Sequence, residues 1–317
     1  MTTQLALSLV FDSPLVGKVS NDRTNMVFPF FALTKERVTE LPAYDDGTVR
    51  IEVRGTELGV ATMWDKRLLI YIASLIQGKV NRGELIETGS RRVTFTAHDF
   101  FRVNDTSPNE GAYDRLLEGL KRLKSTTVFT NIETGGEGED SAFSWVSDYK
   151  LSYRRSEDGK TKTLKGISVE LCPWLWRAIM RDNRMLTYHA DFFRLGPIEQ
   201  RLYEIARAHC GNQPGFRINI EKLRRKVGTQ QELKHFKALL VKLTKQKDAL
   251  PEYRLALVDP RSRGADRKAP RQPGRTPLKG YMVWFFRDDQ PWTEMMKTPI
   301  DGYPEIDGSE LVTVGEA

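Results

Sequence analysis

The sequence predicts an α+β protein in which one plan of elements occurs twice. The order helix, short strand, short helix, long helix, two strands recurs along the 317 residues. The first helix of each copy also carries a similar motif, Asp65-Lys66-Arg67-Leu68 against Glu199-Gln200-Arg201-Leu202. A third observation, the placement of charge, separates the copies: residues 1–210 carry a net +1, residues 211–280 a net +12 and residues 281–317 a net −6.

Residues 26–33 form an apolar run broken by Pro29, which predicts an edge strand or extended arm. Residues 48–54 alternate Val49, Ile51 and Val53 with charged residues, the period of a half-buried strand, after an Asp45-Asp46-Gly47 turn. Thr62 with Asp65 three residues on marks a helix start, and Leu68, Leu69, Ile72, Leu75 and Ile76 trace one helix face. A short strand follows at 91–96, with Val93 and Phe95 inward, then a short helix from Thr96 to near Asn104. After turn residues 105–109, Tyr113, Leu116, Leu117, Leu120 and Leu123 recur at three and four, opposite Arg115, Lys121, Arg122 and Lys124. Strands at 126–132 and 142–154, joined by a glycine-rich acidic loop at 135–140, are expected to close the first copy.

In the second copy Gly196-Pro197 opens a helix with Ile198, Leu202, Ile205 and Ala206 on one face, ending at Gly211. A strand at 216–220, a basic helix at 220–227 stopped by Gly228, and a long helix capped by Thr229 follow. Leu233, Phe236, Leu240 and Leu243 fix the buried face of that last helix. Strands are expected at 253–258 and 278–287, with a loop at 259–277 between them. This is the winged-helix plan, a helix-turn-helix plus β-wing, in two tandem domains; the competing reading is two unrelated α+β domains. The expected boundaries are an arm at 1–24, a first winged helix at 25–172, a second at 173–290 and a loosely ordered acidic tail at 291–317.

Hydrophobic residues at 39%, charged residues at 29% and a mean hydropathy of −0.47 describe a chain that can bury a core. The longest apolar stretch, residues 68–76, falls well short of the roughly 20 residues that cross a bilayer, so no membrane partner is expected. The patch at 5–11 has no basic residue before it and makes a poor export signal. Cys172 and Cys210 then read as reduced thiols in a cytoplasmic protein. A net +12 in seventy residues repels itself unless it faces a polyanion or is spread through a solvated loop, and composition favours nucleic acid.

In a helix-turn-helix, the second helix enters the major groove while the first and the wing hold phosphates. With the apolar face fixed, Thr229, Gln230, Gln231, Lys234 and His235 are the expected base-reading residues, because Gln pairs well with adenine and Lys with guanine. Lys222, Arg224, Arg225, Lys226 and Lys237 are expected to bind phosphate. In the wing loop Arg261, Arg263, Arg267, Lys268, Arg271 and Arg275 alternate with prolines that keep it extended, although a solvated tether has the same composition. The long helix of the first copy begins with Glu110 and Asp114, which repel phosphate, so that copy reads as structural or dimerising, with secondary backbone contacts through Arg91, Arg92 and Arg115.

Catalytic and cofactor signals are weak, and neither a catalytic residue, a metal nor a cofactor is expected. Gly159-Lys160-Thr161 resembles the end of a phosphate-binding loop, but Arg154 stands where its first glycine belongs. His98, His189, His209 and His235 are scattered, and His209-Cys210 lacks a second cluster to complete a metal site. Trp174 and Trp176 suit core packing better than stacking on single strands.

Residues 59–71, Phe192-Phe193-Arg194-Leu195, residues 201–211, 233–240 and Leu250-Pro251-Glu252-Tyr253 are similar to the replication initiator protein A family of bacterial plasmids. The resemblance covers roughly residues 25–287. It implies an initiator related to tandem winged-helix proteins that bind directly repeated origin sites (iterons). The implied partners are double-stranded plasmid origin DNA, a second copy in a monomer–homodimer equilibrium, and the host initiator and replicative helicase. It further implies opening of an A·T-rich stretch, with the protein associated with nucleoid or plasmid. The alternative is a winged-helix repressor of its own gene.

Overall fold

The computed structural model describes residues 11–84, 90–136, 140–156, 158, 160–211, 213, 215–246, 248–258 and 277–288. In chain order the elements begin β1 (Ser20–Asp22), α1 (Arg23–Val27), β2 (Tyr44–Asp45), β3 (Arg50–Arg54), α2 (Met63–Asn81) and β4 (Arg92–Phe95). They continue α3 (Ala97–Val103), α4 (Glu110–Ser125), β5 (Thr127–Thr130), β6 (Ser141–Ser144), β7 (Val146–Arg155), β8 (Lys162–Leu171) and α5 (Pro173–Met180). The last are β9 (Met185–Thr187), α6 (Pro197–Cys210), β10 (Gly215–Asn219), α7 (Ile220–Val227), α8 (Leu233–Thr244), β11 (Tyr253–Val258) and β12 (Met282–Arg287).

Two compact units result. Among the described residues one holds those before Arg23, Glu36–Glu40 and Val53–Tyr188; the other holds Arg23–Lys35, Leu41–Glu52 and those from His189 on. The division therefore falls after Tyr188 rather than after residue 172, and residues expected in the arm and the first domain fold with the second. Short-range patterns cannot show this, because the contacts span more than 170 residues of sequence.

In the first unit Thr62 and Asp65 form the expected capping box: the Asp65 amide donates to Thr62 Oγ1, and the Thr62 amide donates to Asp65 Oδ2 at 2.8 Å. The same carboxylate takes the Arg122 fork, with Nε at 2.8 Å and Nη2 at 2.9 Å, which ties α4 to the start of α2. Gly119 makes the approach possible, since a Cβ there would lie 2.7 Å from Asp65 Oδ1. Leu116, Leu120 and Leu123 of α4 are buried with Leu68, Leu69, Ile72 and Ile76 of α2, each worth about 1.5–3 kcal/mol over exposure. Strands β4, β8 and β7 make one antiparallel sheet in the order β4-β8-β7.

That sheet corrects the expected wing. The wing hairpin is β7–β8, from Val146↔Leu171 to Arg155↔Lys162, and not the pair 126–132 and 142–154. β5 instead pairs with β6 in a separate hairpin between α4 and the wing. The glycine-rich loop joins β5 to β6, and its Gly135 amide donates to Asp182 at 2.7 Å. Alternation through Trp145 conceals that β6 and β7, one residue apart, pair with different strands.

The second unit repeats the arrangement. Its sheet runs β10-β12-β11, again with the last strand in the middle, and Phe216 of β10 stacks on Phe285 of β12 at 4.8 Å. Gly228 ends α7 in the left-handed region, at φ +82°, which a glycine adopts without the steric cost of a Cβ. Phe236, Leu240 and Leu243 seat α8. Two expected boundaries move. α8 starts at Leu233 with Glu232 at its N-cap, and Thr229 instead accepts the Gln231 amide in the preceding turn. A 3-10 turn at Leu278–Gly280 precedes β12.

Residues 26–33 form no edge strand. Residues Arg23–Val27 are helical, and Met26, Val27, Phe28, Phe30 and Phe31 are buried. The apolar run was visible in sequence; the surface it covers was not. α5 and the β1–β9 pair were not foreseen.

Candidate nucleic-acid interface

Burial of Leu223 and Val227 on α7 and of Phe236, Leu240 and Leu243 on α8 turns the rest of this helix-turn-helix outward. Gln230 and Gln231 lie exposed in the turn, and Lys234 and His235 lie exposed on the first turn of α8; Thr229 is half-buried. Lys234, Ala238 and Lys242, four apart, make one exposed stripe, and α8 has no acidic residue. Arg224 Nη1 donates to the Gln231 carbonyl at 2.9 Å, bracing the turn. Arg225 is exposed, with Nη1 3.4 Å from the Asp45 carbonyl, and Lys222 is half-buried.

Several expected phosphate ligands are committed elsewhere. Lys226 is 3% exposed, with its ammonium 5.2 Å from the Phe28 ring centroid and 5.8 Å from that of Tyr44, so it faces the core and not a phosphate. Its place one turn beyond Leu223, on the buried face, is the signal that could have shown this. Lys237 is half-buried, its ammonium 3.4 Å from the Tyr281 ring centroid. Arg91 pairs with Glu170 at 2.9 Å, and Arg92 pairs with Asp148 and Glu170 at 2.7 Å each. These arginines pin the β4-β8-β7 sheet, and carboxylates 56 to 79 residues away are invisible to local pattern. Arg115 is exposed on α4. Arg261, Arg263, Arg267, Lys268, Arg271 and Arg275 lie outside the described residues, as does the acidic tail.

One cationic surface was missed in sequence. The wing of the first unit exposes Lys150, Arg154 and Arg155 on β7, then Lys160, Lys162 and Lys165, with Tyr153 46% exposed among them. Lys160 and Thr161 belong to this hairpin tip, where the Ser156 amide meets the Thr161 carbonyl at 3.0 Å; Gly159 lies outside the described residues.

Trp174 is core, stacked on Phe143 at 4.7 Å and donating Nε1 to the Ile132 carbonyl. Cys172 and Cys210 are buried and free, and burial pushes both thiols up to about 12, away from thiolate chemistry. Burial first, then the charges of Lys226 and Arg23, holds the His209 imidazole neutral well below its usual range. Among the described residues, no group of three or more His, Cys, Asp or Glu could hold a metal ion, and no helix is long and apolar enough to cross a membrane.

Two helix-turn-helix units, each followed by a hairpin that shares its sheet with the strand before the turn, define a tandem winged-helix protein. Domains 2 and 3 of RctB superpose with a TM-score of 0.54 at 14% identity, covering 82% of this chain and 95% of that one. The Pi initiator protein, solved in complex with iteron DNA, gives a TM-score of 0.46 at 16% identity, covering 80% of this chain and all of that one. The chain belongs to the replication initiator protein A family, whose model matches residues 20–255. It is also 33% identical over 249 residues, 78% of this chain and 87% of the relative, to an inferred replication protein of Wigglesworthia glossinidia brevipalpis.

Proposed function

We propose that this member of the initiator family is a non-enzymatic plasmid replication initiator that binds directly repeated origin sites in duplex DNA. The second winged helix reads the repeat through Gln230, Gln231, Lys234 and His235, and the bound protein promotes opening of the origin. The observation that carries this reading is the exposed turn and α8 face, which offers amides, ammonium groups and an imidazole, with Glu232 at the N-cap as its one carboxylate. Arg225 and Lys222 hold phosphates beside it. The basic wing of the first unit adds sequence-blind contacts, while the acidic start of α4 keeps that helix from reading bases. Recruitment of host initiator and helicase, and exchange between monomer and homodimer, belong to the same proposal.

The test is protection mapping on the DNA beside the chain's own gene, with permanganate probing of unpaired thymines. Protection in register over several direct repeats, with reactive thymines in a neighbouring A·T-rich stretch, is expected. Protection of one inverted repeat over a promoter, without opening, would make the chain a repressor instead.

A further inference from the structure

Two stretches from the beginning of the chain, Arg23–Lys35 and Leu41–Glu52, fold with the second unit. Their buried groups converge on the end of α7. Arg201 of α6, 1% exposed, donates Nη1 to the Met26 carbonyl at 2.6 Å and to Glu204 at 2.5 Å. Its Nη2 reaches the carbonyls of Val27 at 3.1 Å and Lys226 at 3.0 Å. One guanidinium thus joins α6, the last turn of α7 and the incoming segment. Phe28 and Tyr44 flank the Lys226 ammonium, and the Tyr44 hydroxyl donates to Asp46 at 2.8 Å.

Two residues beyond Lys226, the backbone leaves α7 at Gly228. A Cβ built there would lie 2.7 Å from Pro29 Cβ, so the segment is in direct contact with the turn that leads to Gln230 and Gln231. Hydrogen bonds to base edges fail within a few tenths of an ångström of misplacement. Attraction to phosphates persists over about 8 Å at physiological salt. A turn that shifts slightly would therefore lose discrimination while keeping its general affinity for DNA.

We propose that Arg23–Lys35 is a positioning strap for the DNA-reading turn: through Pro29, Phe28 and Arg201 it fixes where Gln230, Gln231 and the start of α8 are presented. The proposal rests on the second unit's role given above. Sequence discrimination then depends on residues that make no contact with DNA.

The test uses the full chain as Gly228→Ala, Gly228→Ala with Pro29→Gly, and Gly228→Ala with Pro29→Ala. Each is titrated with a duplex selected by the wild-type chain from a randomised library and with its shuffled counterpart. Gly228→Ala is expected to lower the affinity ratio by about tenfold, the value of one misplaced base contact, with the salt dependence unchanged. Adding Pro29→Gly removes the atom struck and restores much of the ratio; adding Pro29→Ala keeps that Cβ and restores none. Recovery is partial, because left-handed backbone remains strained for alanine. Amide exchange at Gln230 and Gln231 in the free chain follows the same order and needs no DNA.

An unchanged ratio in Gly228→Ala, or equal responses to Gly and Ala at position 29, overturns the strap. Expected exchange behaviour in a wild-type chain that selects no sequence overturns the DNA-reading role, and with it the strap's part in discrimination.

Discussion

In the first unit the helix after the turn, α4, begins with exposed Glu110 and Asp114, and exposed cations cluster on the β7–β8 wing. In the second unit the corresponding helix, α8, has its one acid at the N-cap, Glu232, and presents Lys234 and His235 beside two glutamines. Both units have the same strand order, β4-β8-β7 and β10-β12-β11. The backbone plan is therefore shared, and what differs is where charge of each sign is exposed. The units also differ in what braces their helices. Arg122 forks onto Asp65 entirely within the first unit, whereas Arg201 closes the second unit with carbonyls from the start of the chain.

That second difference sets the largest expected effect. Arg201→Ala leaves Glu204, 0% exposed, without its guanidinium partner and is expected to cost about 3–5 kcal/mol. Arg122→Ala leaves the buried Asp65 carboxylate still hydrogen-bonded by Thr62 and is expected to cost about 1.5–3 kcal/mol. Urea melts followed by limited proteolysis check both. Loss of the second unit before the first in Arg201→Ala is expected, and equal costs in the two variants would remove the distinction.

Acidification comes next. His209 is held neutral in the folded second unit by burial, by Lys226 and by Arg23, and its ring lies 5.3 Å from that of Phe216. Its folded pKa is depressed, so only the unfolded chain takes up the proton as pH falls. Stability is thus full above the ordinary value of 6.5 and declines below it, by up to about 1.4 kcal/mol per pH unit until the folded pKa is reached. His98 of the first unit is exposed. Melts of His209→Gln above and below that value are expected to lose most of this slope; an unchanged slope would place the acid sensitivity elsewhere.

The smallest effect belongs to the first-unit wing. Arg154→Ala and Arg155→Ala are each expected to lower the slope of log affinity against log salt by about 0.9, equally on selected and shuffled duplexes. A loss confined to the selected duplex would make the wing a reader of sequence.

Much of this was legible in the residues, and the failures share a cause. The Thr62–Asp65 capping box, the spacing of leucines in α4 and the Gly228 stop are local signals, and they located elements correctly. Lys226, Arg91 and Arg92 each look available to phosphate within their own segments, while their partners lie far along the chain. Local alternation hides the first wing, because β6 and β7 run on with one residue between them and only their pairing, with β5 and with β8, sets them apart. In α8 the apolar spacing gives the outward face, but Thr229, a good cap by residue type, braces the turn instead.

The claim that the exposed turn and α8 face read sequence is tested most directly by repeating duplex selection with Gln231→Ala and Lys234→Ala. Each variant is expected to lose preference at one base-pair position within every repeat, by about 1–3 kcal/mol, and to keep its preferences elsewhere. Uniform weakening across all positions, or an unaltered selected sequence, would contradict it.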